Sequence, residues 1–126
     1  IKTEGGNIGV VTDLGQYDVN TVAAVSSCRL VFIEANHDED MLWNGKYPYP
    51  LKRRIGGVFG HLSNEQCGKL LAESGENVEF AVLSHLSREN NTPEKAVFTV
   101  SKFAPEKIKI SVAPRNERSE FIYLQR

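Results

Sequence analysis

At 126 residues the chain has the size of one ordinary domain, large enough to bury roughly two thirds of its unfolded surface without disulfide or metal staples. Hydrophobic residues at 40% and charged residues at 25% exclude disordered, collagen-like and fibrous classes, and no apolar run approaches the roughly 18 residues of a membrane span. Fifteen Lys and Arg against 16 Asp and Glu give a net charge of −1, which excludes a grip on nucleic acid by bulk charge and leaves only local basic patches for that purpose.

The chain opens on Ile1, without an initiator Met, a charged n-region or an apolar signal core, and is expected to be a fragment that begins inside a larger domain. Ile8 to Thr12 reads as a short strand that ends in Asp13-Leu14-Gly15. Asp18 can cap a helix whose Val19, Val22, Ala23 and Ser26 share a face. Leu30-Val31-Phe32-Ile33 is continuously apolar, the pattern of a strand covered on both sides, and it stops at Glu34. Asp38 to Asn44 can form a short helix closed by Gly45, and Pro50 can open another that carries Lys52, Arg53 and Arg54.

Ser63-Asn64-Glu65-Gln66 has capping-box spacing, and Cys67, Leu70 and Leu71 give the following helix an apolar face. Phe80-Ala81-Val82-Leu83 is a third buried strand and delivers His85 at its end. Thr92-Pro93 caps a helix whose Ala96, Val97, Val100 and Phe103 face inward. Lys107 to Val112 and Glu120 to Leu124 alternate like a terminal strand pair or two edge strands. Cys28 and Cys67 match no metal-finger spacing and are expected to be reduced thiols in a cytoplasmic protein.

Three apolar strands thus end in turn at Asp13, Glu34 and His85. In α/β sheets the crevice beyond the carboxyl ends of the strands is where ligands bind, so the coincidence marks a candidate site, although a single Asp or His there also serves as a turn former or structural residue. His61, just before the capped helix, can meet an anion at the helix N-terminus or can be a plain helix-entry residue. His37 and the Lys52-Arg53-Arg54 run have the same two readings, functional or solvated and structural.

Thr12-Asp13-Leu14-Gly15, Glu34-Ala35-Asn36-His37-Asp38, Gly60-His61-Leu62-Ser63-Asn64-Glu65 and His85-Leu86-Ser87-Arg88-Glu89-Asn90-Asn91, in that order from Ile8 to Leu124, together resemble the second half of the metallo-β-lactamase-fold hydrolases. The nearest likeness is to the YycJ/VicX/WalJ group of bacterial nuclease-like proteins, and ribonuclease Z is more distant. The resemblance implies an α/β fragment, residues 1–126, that is the C-terminal αβ half of a four-layer αβ/βα sandwich. The family's H-x-H-x-D-H motif and one further histidine ligand are absent from a chain with three histidines, which assigns them to a missing N-terminal half.

By the same resemblance Asp13 is a carboxylate bridging two divalent metal ions, zinc or manganese, and His85 is a further metal ligand. Glu34 orients His61, the catalytic pair, so that the imidazole protonates the leaving oxygen while metal-bound hydroxide attacks phosphorus. Ser87, Arg88 and Asn90 hold substrate phosphate oxygens. The implied function is a metal-dependent phosphodiesterase or exonuclease acting on DNA, inactive as this fragment alone. The alternatives are a ribonuclease Z-like RNA processing hydrolase and a non-catalytic α/β interaction module. Nucleic acid is the expected partner, with no membrane association.

Overall fold

The computed structural model, which describes residues 1–115, 118 and 121–124, has five strands and five helices among them. Lys2–Thr3 (β1) turns back through the Glu4-Gly5 loop onto Gly6–Val11 (β2), and Gly6 takes a φ of 122° at the end of that turn, which a residue with a side chain rarely adopts. Val19–Ser26 (α1) follows, with Asp18 and Thr21 forming its capping box. Cys28–Glu34 (β3) is the central apolar strand. Two short helices, Glu39–Asn44 (α2) capped by Asp38 and Tyr49–Ile55 (α3), lead to Asn64–Ser74 (α4). There Ser63 and Gln66 complete the capping box read from the sequence. Phe80–Ser84 (β4), Pro93–Phe103 (α5) and Lys109–Val112 (β5) close the order.

The sheet order is β1-β2-β3-β4-β5, with β1 antiparallel to β2 and every other pair parallel. Parallel neighbours in sequential order, joined by crossovers of one hand, collect their helices on a single face. Accordingly α1 packs on α4 and α4 on α5. The core lies between that layer and the sheet: Val31, Ile33, Ala81 and Leu83 point into it from the strands, and Cys67, Leu70, Leu71, Ala96 and Val100 from the helices. Each of these nine is fully buried, a burial typically worth about 1.5–3 kcal/mol for a large aliphatic side chain.

The opposite face of the sheet is also apolar. Register places Ile8, Leu30, Phe32, Phe80 and Val82 there. It is covered only in part: Val10 beside them is 63% exposed, and Phe121 and Tyr123 line a cavity of about 590 Å³ against Phe32 and Phe80. Parallel sheets are ordinarily covered on both faces, so this face has the chemistry of an interface.

The fold departs from the sequence expectations at its two ends. β1 has no signature in the sequence, because two polar, exposed residues carry no hydrophobic period and are held only by pairing to β2. The expected strand from Glu120 to Leu124 is not one: residues 121–124 have no strand pairing, and Glu120 lies outside the described residues. β5 therefore stands as a single edge strand, parallel to β4 rather than one arm of a terminal pair. Among the described residues no helix is long and apolar enough to cross a membrane.

Candidate active site

β2, β3 and β4 run parallel, so their carboxyl ends come to one edge, and the Asp13, Glu34 and His85 that follow or end them meet there. Glu34 is the centre. It is fully buried, and an ionised carboxylate so placed needs donors on both oxygens. Oε2 accepts the Asp13 backbone N–H at 3.0 Å, and Oε1 accepts from His61 Nδ1 at 2.7 Å. His85 Nδ1 lies 3.4 Å from the same Oε1.

Asp13 and His85 are the only non-glycine residues with positive φ among those described, at 58° and 55°. Left-handed backbone is costly for residues with a Cβ, and here it sits on the two positions that end β2 and β4 at the site. It turns the Asp13 side chain outward, 71% exposed, with no hydrogen bond to its carboxylate among the described residues. Asp13 Oδ1 stands 3.8 Å from His61 Nδ1 and 3.9 Å from His85 Nδ1.

A second tier of amides fixes these loops. Asn36 donates through Nδ2 to the His85 carbonyl at 2.9 Å, while its own carbonyl accepts from Ser87 N at 2.7 Å. Its Oδ1 then faces His37 Nδ1 at 3.1 Å, which assigns the proton to that nitrogen. Asn64 and Asn91, both buried, exchange two amide hydrogen bonds of 2.9 Å, and Asn91 also reaches the Ala35 carbonyl at 3.0 Å. The result ties the ends of β3, β4 and α4 into one frame. Sequence reasoning misses Asn36, Asn64 and Asn91 as positioning residues; their signal, an Asn just past a strand and two more beside helix caps, is shared with ordinary turns.

On the other side, Gly15 is buried against the loop before His61: a Cβ there would lie 2.1 Å from the Gly57 carbonyl oxygen. That close approach brings the Asp13 turn and the His61 loop together. Cys67 lies beneath, its thiol pushed up by burial and by the Glu34 carboxylate, so it is an inert packing residue rather than a nucleophile.

Of the residues singled out in the sequence, the structure gathers Asp13, Glu34, His61 and His85. Ser87 Oγ accepts from the Asn90 backbone N–H at 3.1 Å and so closes its own loop. Asn90 is buried, its side chain in a cavity of about 220 Å³ with Met41, Gly45 and Tyr47, and its Nδ2 has no hydrogen-bond partner among the described residues. Arg88 is exposed, without a partner among the described residues. Lys52 donates to the Trp43 carbonyl at 2.8 Å and Arg53 lies over the Tyr49 ring, which leaves Arg54 as the cation of that run with no such contact among the described residues.

His37 makes the site pH-sensitive through stability. Burial, and secondarily the nearby His61, lower its pKa from 6.5 to about 4, against a smaller opposing pull from Asp38. The folded state binds this proton less well than the unfolded state, so the stability it contributes is complete above pH 6.5 and is lost as pH falls toward 4. The loss amounts to about 3 kcal/mol over that window. Urea titrations across it should show a steeper decline for the natural protein than for His37→Gln; parallel curves would assign the acid sensitivity to other groups.

An α/β sheet with acidic and imidazole groups converging at its carboxyl edge is the arrangement of a metallo-β-lactamase-fold protein. The crystal structure of the metallo-β-lactamase fold protein YhfI from Bacillus subtilis matches with a TM-score of 0.55 at 14% identity, over 87% of this chain and 36% of that one. Exodeoxyribonuclease YycJ of Bacillus anthracis is 33% identical over 101 residues, 79% of this chain and 38% of its own length. Exodeoxyribonuclease WalJ of Streptococcus pneumoniae (strain D39 / NCTC 7466) is 37% identical over 92 residues, 72% of this chain and 34% of its own. No family profile matches the chain. The chain has the metallo-β-lactamase fold and, over the residues matched, is similar in sequence to the YycJ/WalJ group. It spans just over a third of the length of the curated relatives it matches.

Proposed function

We propose that this chain supplies the acid-base half of the active site of a metal-dependent phosphodiesterase that degrades DNA from its ends, and that the remaining metal ligands come from a preceding half-domain packed on the open sheet face. The observation that carries the reading is the buried Glu34 holding His61 at 2.7 Å beside an outward-turned Asp13. The relatives' name, exodeoxyribonuclease, supports the substrate. The partly covered apolar face and the matched third of the relatives support the missing half.

The residues fit a divalent ion. Asp13, Glu34 and His61 each offer a ligand atom within 4.8 Å of the others, but both Glu34 oxygens are engaged by Asp13 N and His61 Nδ1. The donors left free are the Asp13 carboxylate, the His85 imidazole and His61 Nε2; the first two would hold metal, zinc or manganese by the hardness of the set, and the third is kept for the proton. A bound divalent ion supplies Lewis-acid stabilisation of the charge developing on phosphate and lowers the pKa of an attacking water.

His61 does the proton work. With Nδ1–H fixed on Glu34, Nε2 is the atom left to carry the proton to the leaving oxygen. The phosphorus–oxygen bond breaks as the water oxygen, its surplus proton released to solvent, takes the place of the leaving oxygen, and the imidazole ends neutral with its Nδ1–H still hydrogen-bonded to Glu34. Glu34 stabilises the imidazolium beforehand, by charge and by orientation. Arg88, exposed and unpaired among the described residues at the end of the His85 loop, is the phosphate contact, with Ser87 and Asn90 shaping the loop that presents it.

The test is hydrolysis by the complete, metal-loaded protein of matched single-stranded DNA and RNA labelled at either end. Stepwise release of nucleotides from DNA, abolished by chelation and restored by metal, is the expected result. Preference for RNA would overturn the substrate class, and no hydrolysis of either would overturn the enzyme reading.

A further inference from the structure

Beyond the His85 side of the site the structure contains a second feature, a cleft of about 700 Å³ between the loops that follow β4 and β5. His85 lines it, so the cleft and the site share that residue. Leu86, Val112 and Pro114 give it apolar walls, and Arg88 and Arg115 bring two guanidinium groups. Among the described residues no Asp or Glu lines it. Glu89, next to Arg88, faces the cavity of Asn90 and Met41, and Glu94 lies on the groove of Phe98 and Lys102.

The cleft is built rather than incidental. Arg115 Nη2 donates to the Leu86 carbonyl at 2.5 Å, which fixes the guanidinium across the cleft and leaves its other N–H groups to donate. Ala113 N donates to the Leu83 carbonyl at 2.8 Å, pinning the apolar wall to β4. Pro93, in the first turn of the 11-residue α5, borders the same space, so the positive end of that helix adds to the field. In a chain of net charge −1, this is a local concentration of positive charge on an apolar floor.

We infer that this cleft is the subsite for the nucleotide adjoining the one that is cut, with its phosphate on Arg88 and Arg115 and its sugar and base against Leu86, Val112 and Pro114. The inference rests on the nucleic-acid reading above. Its volume falls in the range of small-ligand pockets, and a planar fork of N–H donors matches phosphate oxygens. The subsite would hold the strand in register, so that the linkage presented to His61 is always the next one along.

The experiment is phosphate interference in the complete protein. Single-stranded DNA carries one neutral methylphosphonate at successive linkages, the cleavable linkages being phosphorothioate, and binding is read by fluorescence anisotropy. Neutralising the linkage beside the cut one should weaken binding to the natural protein about tenfold, the worth of one charge-assisted contact. Arg88→Ala should weaken the unmodified strand several-fold and lower the salt slope by about one, and methylphosphonate at that linkage should then cost less than in the natural protein, since only Arg115 remains on that phosphate. Arg115→Lys keeps the charge and a donor for the Leu86 carbonyl but not the fork, and should lose binding several-fold.

Effects of Arg88→Ala and methylphosphonate that multiply, or an Arg88→Ala protein that binds like the natural one, would overturn the subsite while leaving cleavage and the nuclease reading intact. A natural protein that neither binds nor cuts the unmodified strand would overturn both.

Discussion

His61→Ala in the complete protein is expected to lower kcat on DNA by about 10²–10⁴ while bound metal, measured by elemental analysis, stays at the natural amount. The size follows from losing a positioned general acid, and the retained metal follows from the geometry: His61 Nδ1 is committed to Glu34 at 2.7 Å and its ring stands 3.8 Å from the Asp13 carboxylate. Glu34→Gln should fall in the same range and for a related reason. A buried amide still accepts one hydrogen bond, but its NH₂ meets either the Asp13 N–H or His61 Nδ1–H as a second donor. His61 is then driven to the other tautomer, and the imidazolium loses its counter-charge. The two losses should not multiply in the double variant, because both disable one proton donor. If His61→Ala emptied the protein of metal, His61 would be a ligand, and its separation in role from Asp13 would fall.

Asp13→Asn is expected to do the opposite: metal affinity falls more than about 100-fold, and activity is lost in proportion. Asn is the informative replacement because Asp13 sits at φ 58°, a conformation that Asn tolerates at least as well as Asp. The backbone N–H that serves Glu34 is therefore kept, and only the carboxylate charge is removed. Asp13→Ala would add backbone strain to the lost charge and blur the result. Full metal content in Asp13→Asn, with unchanged thermal unfolding, would remove Asp13 from the ligand set.

Much of the fold was legible locally. The Asp18 cap, the Ser63 capping box, the closing Gly45 and the Pro93 helix start are short-range physics, set by residues within a turn of one another, and the structure keeps each of them, adding Thr21 to make a full box at Asp18. Continuous apolar runs at 30–33 and 80–83 announced parallel strands apolar on both faces, and the structure packs one face on the helices and covers the other only in part. The β1 hairpin was not legible because its polar edge residues carry no hydrophobic period, and the final segment misled because apolar residues such as Phe121 and Tyr123 can pack on a sheet face without pairing as a strand.

The candidate site divides along the same line. By itself the sequence determined that acidic and imidazole residues stand at three strand ends and one helix entry, because strand periodicity and capping chemistry fix those positions along the chain. Their conjunction was decided by the tertiary structure: parallel pairing of β2, β3 and β4 aligns the carboxyl ends, and Gly15 lets the His61 loop approach. The left-handed backbone at Asp13 and His85 was likewise unreadable, since non-glycine residues adopt it only where surrounding contacts hold them there. The same holds for Arg115, an ordinary surface cation in the sequence. Only the crossover that sets β5 beside β4 carries it across to the Leu86 carbonyl, because charge placement across an α/β edge depends on strand order rather than on distance along the chain.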